Sequence, residues 1–381
     1  MKVSDYTRRC EKIKPFLAME VMERAMSLQK AGRDITFMCV GEPDIPAHPA
    51  ISEACNRAMK EGKTGYTHSL GIVELREEIS QYYYERYGVE VSPEQIVVSS
   101  GTSPLMLLLF GMLVEKGDEV ILTNPCYACY PNFVNFVEGE VSYFNLSPSG
   151  EKSYSEVKKI INDNTSVVVI NSPSNPTGEV LTEKELNDIA NLPIKIISDE
   201  IYHGLCYEGK EETLLKYRKD VFVINGFSKA FSMTGWRLGY AIVPENYIRL
   251  ARSLHQNLVI CAPHFVQWAG IEALRHHREI LSHVKHVFSE RRRFLLNGLK
   301  ELGLAIWGEP KGAFYVMVDF RFKKKDSLSM SLEILEKYDL AVTPGIDFGS
   351  NGEGFIRLSY ATSMENIEKA LSKLKHYVSI D

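Results

Sequence analysis

The stretch Asn225-Gly226-Phe227-Ser228-Lys229 follows a run of apolar residues, and a lysine directly after a buried strand is rarely placed there without a partner. Such an amine forms a Schiff base with an aldehyde once its surroundings lower its pKa. Ser228 beside it and Arg237 beyond offer a hydroxyl and a bidentate guanidinium, both suited to a phosphate. The plain alternative is a surface lysine beside a structural arginine, and the Gly235-Trp236-Arg237-Leu238-Gly239 pattern weighs against it. In a second segment, Asp199 ends the apolar run Ile194–Asp199, at the carboxyl edge where α/β sheets build their sites. An aspartate there pairs with a buried cation, with Tyr202 close enough to donate a hydrogen bond; taken alone it reads equally as a helix N-cap. The third segment, Asn171 to Gly178, also lies just past a strand. Pro176 holds Asn175 in extended geometry, and the cluster by itself is a turn.

These residues need elements to position them. Short β-branched runs recur at Ile96–Ser99, Glu119–Thr123, Val167–Asn171, Ile194–Asp199, Val221–Asn225 and Leu238–Val243. Most are apolar on both faces, which predicts strands covered by helices on each side. Helical patterns lie between them, such as Thr182–Asn191, where Thr182 and Glu185 form a capping-box signature. The alternation predicts an α/β domain with a mainly parallel sheet. Long helical patterns run from Pro263 to Leu302, and a shorter mixed stretch from about Gly303 to Asp381 closes the chain as a smaller domain. Arg291–Arg293 and Lys323–Lys325 read as solvated helix faces or turns.

Composition removes several functions. The 381 residues hold 45% hydrophobic and 24% charged residues with a formal net charge of −5, the balance of a globular protein. Mild acidity argues against nucleic-acid binding. The longest apolar run, Pro104 to Val114, falls short of the ~20 residues a bilayer needs, and Met1 to Glu20 scatters charge too freely for a signal peptide. The seven cysteines are too dispersed for a disulfide framework and fit a reducing compartment, hence the cytoplasm. Cys126 and Cys129 form a lone C-x-x-C with no second half for a metal site, and are read as a loop carrying two thiols.

Together the segments resemble the fold-type-I pyridoxal-phosphate enzymes, and within them the class I aminotransferases related to aspartate aminotransferase. The resemblance runs along almost the whole chain: Gly41-Glu42-Pro43-Asp44, Gly65-Tyr66-Thr67, Gly71 with Leu75-Arg76, Asn124–Tyr130, Asn175–Gly178, Ser198–Tyr202, Ser228–Gly239, Pro344–Gly349 and Phe355–Ser359. It implies an α/β fold with a large domain over 45–290, built on a mainly parallel seven-stranded-type sheet, and a smaller α+β domain from 1–44 and 291–381. It implies pyridoxal 5'-phosphate as cofactor and no metal. Lys229 would hold the cofactor as an imine and shuttle the substrate Cα proton. Asp199 would keep the pyridine nitrogen protonated, and Tyr202 and Asn175 would bond the ring's phenolic oxygen. The phosphate would sit in a cup of Ser228, Arg237 and the turn Gly101-Thr102-Ser103, whose helix start offers free N–H groups. Tyr127 would stack on the ring. Arg357, assisted by Gly41, would bind the substrate α-carboxylate. Tyr66 would reach the phosphate of a neighbouring subunit, making the active unit a homodimer, and a cis bond would precede Pro176.

Departures from the family bear on substrate. Some aspartate aminotransferases place a lysine in the turn corresponding to Gly101-Thr102-Ser103 to recognise a second carboxylate; this chain has Ser103, which undermines aspartate as donor against alanine or an aromatic or hydrophobic amino acid. His203 stands near Tyr202, with contact to substrate and a structural role both open. Gly62-Lys63-Thr64 imitates the end of a P-loop but has Arg57 where the first glycine belongs, so it is a loop leading to Tyr66. His276, His277, His283 and His286 lack a carboxylate or thiol partner set and read as a solvated helix face. The expected activity is ping-pong transfer between an amino acid and a 2-oxo acid. A C–S β-lyase would use the same site. A non-catalytic regulator would need an added DNA-binding segment, for which the stretch before Gly41 leaves no room.

Overall fold

The computed structural model describes residues 7–148 and 153–379. Its central sheet contains β1 (Ile96–Ser99), β2 (Glu119–Asn124), β3 (Glu140–Asn145), β4 (Thr165–Asn171), β5 (Lys195–Asp199), β6 (Phe222–Gly226) and β7 (Gly239–Ile242). The spatial order is β1-β7-β6-β5-β4-β2-β3; β7 is antiparallel to both neighbours and the remaining strands are parallel. The apolar runs are explained by two cores. Ile121, Val168, Ile196 and Val223 face one, while Val120, Val167, Ile197 and Ile224 face the other. Alternate residues of each strand are thus buried on opposite faces, as a helix-covered parallel sheet requires. β3 was not among the expected strands. It is an edge strand with half-exposed residues, so it lacks the continuous apolar run that marks its neighbours.

Helices α1 (Leu17–Lys30), α2 (Thr102–Leu113), α3 (Tyr130–Phe136), α4 (Glu183–Ala190), α5 (His264–Arg275) and α6 (His277–Glu301) are the ones that bear on the site. α2 buries Leu105, Leu108 and Leu109 in the second core, so the apolar run there is a core helix. α4 opens on the expected capping box, with Thr182 and Glu185 each bonding the other's backbone N–H.

A second, antiparallel sheet follows, built from β8 (Tyr315–Asp319), β9 (Thr343–Pro344) and β10 (Phe355–Ser359) in the order β9-β10-β8. Nearby, Thr36–Phe37 pairs in parallel with Leu340–Ala341, joining the start of the chain to its end. The architecture is α/β with a mostly parallel central sheet.

Two charge patterns differ from expectation. Arg292 is buried rather than solvated, with ion pairs to Glu208 and Glu309, and Arg291 forms a fork with Asp44 at 2.5 and 3.0 Å. Among the four histidines, His277 is buried edge-on against Tyr82, while His283 and His286 are exposed. A long helix wedged between layers shows solvent only part of its circumference, and charge runs in the sequence do not reveal which part.

Candidate active site

Parallel strands bring their carboxyl ends to one edge, and four of them deliver site residues there. β1 ends two residues before Gly101, β4 ends at Asn171, β5 at Asp199, and β6 three residues before Lys229. From the other side, β10 presents Arg357, the chain before α1 presents Phe16, and the chain after α1 presents Cys39, Val40 and Gly41. These elements enclose a cleft of about 230 Å³.

Lys229 projects into it and donates from Nζ to the Gly41 carbonyl at 2.7 Å. Burial, reinforced by the positive charge of Arg357, lowers its pKa to about 8. Asp199 is buried, and burial pushes its carboxyl up to about 6, against the pull of the Tyr130 hydroxyl at 2.5 Å and the Ile201 N–H at 3.1 Å. Tyr202 is buried with its hydroxyl 2.9 Å from that of Tyr315. Asn175 is joined to Pro176 by the expected cis peptide bond, and its backbone N–H donates to Asn171 Oδ1 at 2.8 Å.

Arg357 donates to Asn175 Oδ1 at 2.9 Å, to the Cys39 carbonyl at 2.6 Å and to Thr343 Oγ1 at 3.2 Å. Its guanidinium lies against the rings of Tyr315 and Phe348, and its Nε, buried, has no protein partner. A guanidinium that lines a cleft with one donor still unsatisfied suits a carboxylate.

At the opposite end, Gly101 caps the N-terminus of α2 with φ +93°. A Cβ there would stand 2.4 Å from Arg237 Nη2, so the guanidinium occupies the space a side chain would take. Thr102 and Ser103 open the helix, Ser228 lies across the cleft, and the free N–H groups of the helix start point the same way. Arg237 itself sits at φ +56°, a backbone state that costs about 1–2 kcal/mol and belongs to sites where position outweighs stability. Together these donors form a cradle for a dianion. Tyr127 walls the cleft and meets Tyr130 edge-on at 5.3 Å.

The structure thus gathers Gly41, Thr102, Ser103, Tyr127, Asn175, Asp199, Tyr202, Ser228, Lys229, Arg237 and Arg357 around one cleft. Tyr66 is apart from it and 83% exposed. His203 lies behind the cleft, buried against Tyr87 (2.8 Å) and close to Glu200 and Glu211, which is a structural position. Cys126 is buried with its thiol pushed up to about 12 by burial, far from a reactive thiolate. Among the described residues no group of three or more His, Cys, Asp or Glu is placed to hold a metal, and no helix is long and apolar enough to cross a membrane. Two residues escaped the sequence: Tyr130, which bonds Asp199, and Tyr315, which bonds Tyr202. The one signal for Tyr130 was its place at the end of the Asn124–Tyr130 stretch.

Residues 33–374 match the family model for aminotransferase class I and II, and the chain belongs to that family. It is an aminotransferase, an enzyme of the transferase class. It is 37% identical over 380 residues to the (5-formylfuran-3-yl)methyl phosphate transaminase of Methanocaldococcus jannaschii, across 98% of this chain and 99% of that protein. To the aspartate/prephenate aminotransferase of Thermus thermophilus it is 35% identical over 379 residues, 96% and 97% of the two chains. Its fold matches the structure of aspartate aminotransferase from Thermus thermophilus with maleate at a TM-score of 0.94, with 34% identity over 98% of this chain and 100% of that one.

Proposed function

We propose that the protein is a pyridoxal-phosphate-dependent amino-acid:2-oxo-acid aminotransferase. The observation that carries this is the joint presence, in one cleft, of Lys229 with its lowered pKa, the buried Asp199, a dianion cradle and an arginine fork with a spare donor. These fit the cofactor's amine-reactive carbonyl, its basic ring nitrogen and its phosphate in turn. When bound, the cofactor supplies an electron-withdrawing ring that makes the amino acid's Cα proton removable and stores the amino group between the two half-reactions.

The chain's own residues do the rest. Arg357 orients the substrate by its α-carboxylate, with the Gly41 backbone alongside. Lys229, whose amine is half neutral at about pH 8, would hold the cofactor and then move the proton at Cα as general base and acid. Asp199, held in place by Tyr130, would supply negative charge to a protonated ring nitrogen. Tyr202 and Asn175 would bond the ring's phenolic oxygen, and Tyr127 would pack on the ring. Ser228, Thr102, Ser103 and Arg237 would hold the phosphate.

Two further elements belong to this reading. Tyr66, exposed on the single chain, would complete the phosphate site of a second copy in a homodimer. The large unit over 45–290 and the small one from 1–44 and 291–381 would be its two domains, and the free cysteines fit the cytoplasm. A C–S β-lyase would use the same cleft, but the relatives' transaminase names do not favour it. The test is a titration of the cofactor-loaded protein with amino acids in the absence of any keto acid. Loss of the visible band with one equivalent of keto acid formed supports transamination; a band that persists while ammonia accumulates overturns it.

A further inference from the structure

Resting on that function, a buried amide can be assigned a part in gripping the substrate's α-carboxylate. Asn124 ends β2 and is 1% exposed, with every polar atom of its side chain engaged. Its Nδ2 donates to Asn145 Oδ1, at the end of β3, at 2.8 Å and to Ser350 Oγ at 2.9 Å. Its Oδ1 accepts the Asn351 N–H at 3.1 Å. Asn351 answers with its own amide, which donates to the Leu146 carbonyl at 2.9 Å and the Asn124 carbonyl at 3.3 Å. Two residues along, the Cys126 N–H donates to the Phe348 carbonyl at 2.9 Å. Gly349 lies at φ +116°, and a Cβ there would stand 2.4 Å from Asn124 Oδ1, so glycine is what lets the two segments meet. Residues 348–351 belong to the loop between β9 and β10, and these bonds fasten the small antiparallel sheet to the carboxyl edge of the central one.

The fastened loop carries a ring that packs on Arg357. Phe348 is buried, and its ring centre lies 4.7 Å from the guanidinium carbon, with that of Tyr315 at 4.3 Å. The bonds to Asn175, Cys39 and Thr343 hold the guanidinium within its plane, and the rings hold the plane itself. The loop has a second attachment at Asp347, which accepts the Leu17 and Ala18 N–H groups at 3.0 Å each. Asn124 differs from it in joining the two sheets through one amide. A buried amide with all its bonds made specifies a single arrangement, and without it Ser350 and the Asn351 N–H lose their tie to β2.

We infer that Asn124 is a positioning residue for substrate binding: by anchoring residues 348–351 to the end of β2 it keeps the Phe348 ring on Arg357, and thereby sets the guanidinium that receives the α-carboxylate. Every amino acid presents that group, so loss of the anchor should weaken all donors by one factor, whatever their side chains. The experiment follows the single half-reaction of the cofactor-loaded protein with the common L-amino acids, reading a dissociation constant and a saturating rate constant for each donor from the visible band. Equilibrium dialysis of the cofactor and circular dichroism accompany it. In Asn124→Ala the dissociation constant should rise about tenfold for each donor that reacts, with rate constant and cofactor affinity each within about threefold of the parent. Phe348→Leu should do the same, and the double variant should be no weaker than the worse single one, because both act through one ring. A merely structural role would leave the two effects multiplying. Ser350→Ala, which removes one acceptor and spares the amide, should give a smaller rise of about threefold, and replaces Asn124→Ala in the pairing if that variant does not fold. Donor constants within about twofold of the parent, factors that differ between donors, or multiplying effects overturn the inference and leave transamination standing. If Arg357→Lys also leaves every donor constant unchanged, or no donor reacts, the parent function fails and this inference with it.

Discussion

Arg357 Nη1 donates to Asn175 Oδ1 at 2.9 Å, joining the middle strand of the small sheet to the loop beyond β4 of the large one. This bond fixes the plane of the guanidinium and leaves its Nε as the unsatisfied donor. Arg357→Lys keeps the charge but loses the fork and the bonds to Asn175 and Cys39. Catalytic efficiency should fall about 10- to 100-fold, mainly through KM for the amino acid, with the cofactor's spectrum unchanged. A KM within twofold of the parent would remove Arg357 from carboxylate binding.

Lys229 costs the fold stability. Its folded pKa, near 8, is depressed below the ordinary value of 10.5, so the penalty is absent above 10.5, grows as pH falls and is complete below about 8. At pH 7 the buried charge costs at most about 3 kcal/mol, and less to the extent that the amine faces the open cleft. Lys229→Met should abolish turnover and the visible band of the loaded protein, yet raise the melting temperature of the cofactor-free protein at pH 7. The gain should shrink by pH 10. Thermal melts at the two pH values decide it.

Asp199 depends on Tyr130. In the cofactor-free protein its carboxyl should titrate near pH 6, readable by carbon NMR of labelled aspartate. Burial is the larger influence and raises the pKa; the Tyr130 hydroxyl bonds the charged form and opposes the rise. Tyr130→Phe should therefore move the titration upward by about one unit. A downward shift, or none, would contradict the arrangement.

Gly101 is the residue that lets Arg237 reach the start of α2. At φ +93°, with a Cβ due 2.4 Å from the guanidinium, Gly101→Ala forces either backbone or arginine to move. Pyridoxal phosphate affinity should weaken about 10- to 100-fold, measured by equilibrium dialysis, while circular dichroism stays native.

Much of this was visible in the residues themselves, for reasons that differ from place to place. β2, β4, β5 and β6 announce themselves because both faces are buried, which leaves unbroken apolar runs. β3 hides because an edge strand needs no such run. Asp199 ends a strand, and Lys229 and Asn175 lie just past one, where a parallel sheet gathers its functional groups, which makes all three legible. The partners that tune them are not: Tyr130 lies 69 positions from Asp199 and Tyr315 lies 113 from Tyr202, separations that only tertiary packing closes. The burial of Arg292 was likewise out of reach, because its ion-pair partners Glu208 and Glu309 come from other segments.

The hydrogen bonds that tie residues 14–18 to Asn132 and Asp347 have a consequence for how the enzyme comes into being. Lys14 is made 118 positions before Asn132, to which its N–H donates, and Leu17 is made 330 positions before Asp347, to which its N–H donates. Arg357 is made later still. A ribosome that has delivered the large sheet has therefore made the cradle and the lysine but no means of gripping a substrate. The growing chain can acquire cofactor-binding groups well before it can grip a substrate, which waits until the segment carrying Asp347 and Arg357 packs against residues 14–18 and Asn175.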